Sequence, residues 1–139
     1  MKPIFATIFL MMAAACWTPL HAGDKKSVAY EPTVVTLSGT IVKEKFGDDA
    51  APVNRGKSAW ILRLDQRISV PAKVGDEIDL KEENVSEIHL NIDQTKHPVP
   101  KKSFGKTHFT ATGTLYHSHT THHLRPIMMQ VSTLEPTTS

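Results

Sequence analysis

Four imidazoles crowd into seven residues. His117-Ser118-His119-Thr120-Thr121-His122-His123 carries half of the eight histidines in the chain. Histidine titrates nearer to neutral pH than any other side chain, and its neutral ring binds Zn, Cu and Ni. Residues two apart on a strand share a face, so His117 and His119 point the same way if the segment is extended. With a turn at Thr120-Thr121, His122 stands opposite His119, about 5 Å away between Cβ atoms. His117, His119 and His122, with His123 in support, then form a candidate metal site with Zn–N bonds near ~2.0–2.1 Å. Such ligands must be neutral, so metal would bind better above about pH 6.5. Asp48 or Asp49 could complete the set. The plain alternative is a solvated turn that is rich in histidine.

Other chemistry is thinner. Asp48, Asp49, Arg55 and Lys57 lie in one turn-rich stretch and could share a binding face with the histidines, or form an ordinary charged loop. Lys101-Lys102, with Lys96 and Lys106, is a basic patch suited to an acidic partner or a lipid head group, or else a solvated segment. His89, His97 and His108 are scattered and read as exposed. Asn84-Val85-Ser86 is a glycosylation sequon only in a host that modifies such sites. Cys16 is the single cysteine, and there is no Gly-x-Ser-x-Gly and no Gly-rich phosphate loop. Glu82-Glu83 reads as a loop pair without a partner. Nucleophilic catalysis has no support, and the chain reads as a non-enzyme.

The elements that would position these residues are strands. Val35, Leu37, Gly39 and Ile41 fall on one parity within Thr33 to Phe46, the pattern of a half-buried strand. Gly39 within it predicts a bend or a close backbone approach. A long loop follows at 47–56. Trp60, Leu62 and Leu64 mark a second strand from Ala59 to Leu64, with Trp60 in the core. Asp65 to Glu83 reads as a loop with a short strand at most near Ile68 to Val70. Ser86 to Asp93 alternates, with Ile88, Leu90 and Ile92 inward and His89 outward. Gln94 to Gly105 holds Pro98 and Pro100 and has room for one helical turn. Lys106 to Tyr116 turns Phe109, Ala111, Gly113 and Leu115 inward. Ile127, Met129 and Val131 mark the last strand, Leu124 to Thr133. Five strands, a bent first strand and a crossover before the fourth predict an all-β fold. The best match is a small five-stranded Greek-key barrel of the OB type. Its connections after the first and the fourth strands then lie side by side. A small β-sandwich is the rival, although it usually has about seven strands.

The first residues read as an address. Met1-Lys2-Pro3 is positive, Ile4 to Trp17 is an apolar run of about fourteen residues, and Pro19 and Ala22 close it. This is the layout of a secretory signal peptide cut after Ala22, and the run is too short to span a bilayer, which needs about 20 residues. Ala13-Ala14-Ala15-Cys16 is a weak rival as a lipid-anchor box, because Ala13 and Trp17 stand where Leu and a small residue are usual. The expected division is therefore 1–22 signal peptide, 23–32 polar extension, 33–133 barrel and 134–139 disordered tail. Removal of 1–22 leaves 117 residues without cysteine, and loss of Lys2 takes the formal charge from +2 to +1. No disulfide can then form, and the core alone must hold the fold. With aromatics at 6% and so little net charge, nucleic acid is a poor partner.

Three stretches carry a resemblance. They are Tyr30-Glu31-Pro32 with Val35-x-Leu37-x-Gly39-Thr40, then Trp60-Ile61-Leu62-x-Leu64-Asp65-x-x-Ile68, and Phe104-Gly105-Lys106 continuing to the HxHTxHHxxP run that ends at Pro126. Over residues 30–132 the chain resembles a family of small secreted bacterial proteins known as a domain of unknown function. The resemblance implies an exported β-barrel domain and no established activity. It also implies a cysteine pair, and here Ala29 and Ser69 stand at the nearby positions. The sequence thus supports two expectations. One is an exported, periplasmic binding module for a protein or cell-envelope ligand, of an inhibitor or immunity type. The other is a periplasmic protein that binds Zn, Cu or Ni through His117 to His123.

Overall fold

The computed structural model describes residues 25–48, 50–120 and 123–137. Every regular element of any length among them is a strand: β1 (Lys26–Ser27), β2 (Val34–Lys45), β3 (Ser58–Val70), β4 (Glu82–Asn91), β5 (His108–His117) and β6 (Ile127–Pro136). Two single 3-10 turns, Pro52–Asn54 and Lys101–Ser103, interrupt the connections. The second is the one helical turn expected in the crossover. The strands form one mixed sheet in the order β1-β3-β2-β5-β6-β4, and β4 also pairs with β3. The segment read as a signal peptide, Cys16 and residues 138–139 lie outside the described residues.

The period-2 pattern builds the core as expected. Along β2, Val35, Leu37 and Ile41 are buried and their neighbours Thr36 and Ser38 are exposed. Phe109, Ala111 and Leu115 of β5 and Ile127, Met129 and Val131 of β6 meet them, with Leu62, Ile88 and Leu90 from the strands between. Gly39 and Gly113 fill the same parity for a backbone reason. A Cβ on Gly39 would collide with the Arg63 carbonyl, and one on Gly113 with the Gln130 carbonyl. Only a residue without a side chain permits these close passes. The register of β5 on β6 shifts between Thr112 and Gly113, so the second glycine also marks a bulge.

Several expectations are corrected. There are six strands rather than five, because Lys26–Ser27 pairs in parallel with Ile68–Ser69. That short pairing exists because β3 runs on to Val70, past the end expected at Leu64. The extension before β2 is not wholly polar surface: among its described residues, Val28 and Tyr30 are buried in the core. Glu82 and Glu83 open β4 rather than lying in a loop. β6 runs to Pro136, and residues 134–136 pair with 109–111 where a disordered tail was expected. Trp60 is only half-buried, edge-on to Phe104 at 5.3 Å with Lys43 Nζ 5.2 Å above its ring. His89 is buried rather than exposed.

Burial of His89 has a structural cause. Ile61, His89 and Met128 are successive cross-strand neighbours on β3, β4 and β6, and all three are buried although they sit on the parity opposite to the core. Residues 123–125 of the connection before β6, called the strap below, fold back over that side of the sheet. His123 meets the His89 ring edge-on at 5.6 Å, and the Leu124 N–H donates to His89 Nδ1 at 3.2 Å. Arg125 holds this strap down. Its Nη2 lies 2.7 Å from Glu44 Oε2 at the end of β2, and its Nε lies 2.7 Å from Glu87 Oε2 on β4. Among the described residues, no helix is long and apolar enough to cross a membrane.

Candidate functional site

The strap starts at a cleft of about 350 Å³, lined by Glu31, Asp76, Asp79, Tyr116, His117 and His119, among others. His117 closes β5 and is held on three sides. Its N–H donates to Asp79 Oδ1 at 2.8 Å, its Nε2 lies 2.9 Å from Glu82 Oε1, and its Nδ1 lies 2.9 Å from the Ser118 carbonyl. Both ring nitrogens therefore lie against protein oxygens, and neither is turned towards an incoming metal. Asp79 is 4% exposed, an unusual place for a carboxylate without partners, and it has two. They are the His117 N–H and, 3.9 Å away, Lys73 Nζ.

The cleft wall opposite β5 is the 71–81 connection, and local bonds fix its shape. Asp76 Oδ1 accepts the N–H groups of Ile78 and Asp79 at 2.8 and 3.2 Å. These two donors hold its carboxyl below the usual carboxylate range, so it stays an anion in mild acid. Tyr30 ties the same wall to the core by donating its hydroxyl to the Leu80 carbonyl at 2.6 Å. Burial, and then the charges of Asp79 and Glu82, raise that phenol above its ordinary pKa, so it remains a donor. The cleft thus presents carboxylates, imidazoles and the polar edge of Tyr116. It can bind a hydroxyl-bearing or amine-bearing group by hydrogen bonds.

The sequence-selected residues separate into three groups. His117 and His119 line the cleft. His123 sits farther along the strap, its ring 6.3 Å from that of His119 and 6.5 Å from that of Tyr116. Asp48, Arg55 and Lys57 stand exposed on the connection between β2 and β3, and no hydrogen bond or ion pair joins them to His117 or His119. Arg125 bonded to Glu44 nevertheless joins the strap to the base of that connection. Asp49 and His122 lie outside the described residues. Among the described residues, no three His, Cys, Asp or Glu side chains converge as a metal site. The carboxylates that do meet His117 come from 38 and 35 residues away, and sequence reasoning missed Asp79, Glu82, Asp76, Tyr30 and Arg125. The available signal was a turn former, Asp76, three residues before an Asp in a stretch bounded by apolar strands.

No protein-family model, curated protein or solved structure matches the chain.

Proposed function

We propose that this chain is an exported, non-enzymatic binding module built on a five-stranded Greek-key barrel of the OB type. Its ligand face runs along the strap between β5 and β6 and the neighbouring connection between β2 and β3. Support for the barrel comes from the pairings, which pass from β3 through β2, β5, β6 and β4 back to β3. In that ring β4 and β6 run parallel and a crossover precedes β5. Export rests on the apolar first segment and its small residue at Ala22. The face rests chiefly on one observation: His117 and His119 open onto a cleft walled by Glu31, Asp76 and Asp79. Its ligand is a partner protein or envelope glycan that brings hydroxyl or amino groups to those acceptors. Affinity capture from periplasmic extract tests this reading. The wild-type chain is expected to retain a partner that the cleft variant His119→Ala/Asp76→Asn loses. Undiminished recovery of the same partner by that variant, and by Asp48→Ala/Arg55→Ala/His119→Ala, overturns the face.

The second reading is binding of Zn, Cu or Ni by the strap histidines. The edge contact between the His119 and His123 rings, 6.3 Å between centroids, favours it. His117 would join only by releasing Glu82 or Ser118. Calorimetric titration with each metal separates the two readings, since absence of binding tighter than about 10 μM (roughly −7 kcal/mol) removes this one.

A further inference from the structure

A second cavity, of about 330 Å³, lies away from the histidine cleft and shares no lining residue with it. It forms where the crossover before β5 passes the far end of β6. Pro98 and Pro100 make one side, and Phe109, Leu134 and Pro136 make the other. Lys96 and Lys102 stand at its rim. The size falls in the range of small-molecule pockets, about 300–1,000 Å³. We propose that this cavity binds a single-chain anionic amphiphile, an alkyl carboxylate whose chain lies between the prolines and Leu134 and whose head meets the two lysines.

The Ser103 hydroxyl and carbonyl at the cavity are already paired. Ser103 Oγ donates to the Pro100 carbonyl at 2.6 Å, and the Thr107 and Lys106 N–H groups both donate to the Ser103 carbonyl. Beside the His97 ring and Thr107, the three prolines, Phe109 and Leu134 give a mostly apolar lining, which suits an alkyl chain better than a peptide or a sugar. Charge at the rim is one-sided. Residues 94–107 contain Lys96, Lys101, Lys102 and Lys106 and no carboxylate. Asp93, just before them, is 3.7 Å from Lys96 Nζ and pairs with it loosely. Glu135 alternates away from the side taken by Leu134 and Pro136. Lys102 is thus a cation beside an apolar hollow with no carboxylate of its own, and an anionic head complements it. A free amphiphile is a better occupant than a bilayer surface. Among the described residues, the exposed large apolar side chains are Val34, Val53, Val74, Ile78 and Leu80, and none lies on this segment to enter a membrane.

Calorimetric titration of the full chain with sodium decanoate tests the assignment, with decanol and phosphatidylglycerol vesicles in parallel. One saturable site for decanoate is expected. Decanol, with the same chain and no charge, should bind at least tenfold more weakly. The exposed-residue variant Lys96→Glu/Lys102→Glu should weaken decanoate tenfold or more, and Thr107→Trp should abolish binding by filling the hollow. Unchanged far-ultraviolet circular dichroism checks that each variant folds. If Thr107→Trp does not fold, the lysine variant alone decides. No saturable decanoate binding, equal affinity for decanol, or vesicle binding that exceeds decanoate binding overturns the proposal.

Discussion

His89 is held where an imidazolium would be costly. Its ring is buried, its Nδ1 already accepts the Leu124 N–H, and Arg125 and His123 are its neighbours. Burial above all, then the nearby His123 and Arg125, lowers its pKa to about 4, against an opposing pull from Glu44. In the unfolded chain it titrates near ~6.5. Between these values the unfolded chain holds a proton that the folded chain does not. Stability is therefore complete above about pH 6.5 and falls as the pH drops towards about 4. Allowing for partial solvent access, the loss is on the order of 2 kcal/mol. Urea unfolding in chelator-containing buffer at about pH 7 and about pH 4.5 reads it. His89→Asn keeps an acceptor near the Nδ1 position but cannot titrate, and it should lose about 1–2 kcal/mol less than wild type over that interval. An identical loss in the variant would remove His89 as the cause. Tyr30→Phe probes the cleft wall in the same assay. It leaves the Leu80 carbonyl without its donor and should cost about 1 kcal/mol at every pH tested.

At the scale of elements, two crossings and one strap shape the sheet. Gly39 is registered with Leu64 on one side and Phe109 on the other, so a methyl group there would push β2 off β3 at the point where both partners are fixed. Gly39→Ala and Gly113→Ala are each expected to cost at least the upper part of the usual overpacking range of about 1–3 kcal/mol. Denaturant midpoints measure this, and near-neutral values would show that the strands can part at little cost. The strap is held by charge-assisted bonds. Arg125 and its carboxylates reinforce one another: burial opposes the charge on Glu87, but its bonds to Arg125 and Arg63 outweigh that and keep it below the usual range. Arg125→Ala should cost about 1–2 kcal/mol, and Arg125→Lys should restore only part, since an ammonium cannot bridge Glu44 and Glu87 together. The strands facing the core were legible because alternation is a local property, as Val35, Leu37, Gly39 and Ile41 show. The outer parity was misread for the same reason. Nothing in Ile61, His89 or Met128 says that a remote connection will fold over them, so His89 looked like a solvent-facing residue.

The whole molecule decides what no local pattern could. The long core-facing strands and the crossover were readable from spacing, and so was the placing of His117 and His119 together. The partners of His117 were not, because Asp79 and Glu82 reach it only when β4 has come round to β6. That seam is the shortest of the joins among β2 to β6: β4 meets β6 only from His89–Met128 to Asn91–Gln130. The β2–β5 ladder, by contrast, runs from Val34–Thr114 to Thr40–His108. Leu90 and Met129 bury apolar surface beneath the short seam, yet its hydrogen bonds are few and its two strands are far apart in sequence. Opening there separates β4 from β6 while the β2–β5 ladder stays intact. Amides that bridge β4 and β6 should therefore exchange with solvent through a lower-energy opening than amides that bridge β2 and β5. Native-state hydrogen exchange in low denaturant distinguishes the two. Arg125→Ala, which frees the start of β6 from Glu87 on β4, should lower protection at the short seam and leave the long ladder unchanged. Equal protection at both seams, falling together in the variant, would mean that the sheet opens only as a unit and that the cleft around His117 is as permanent as the core.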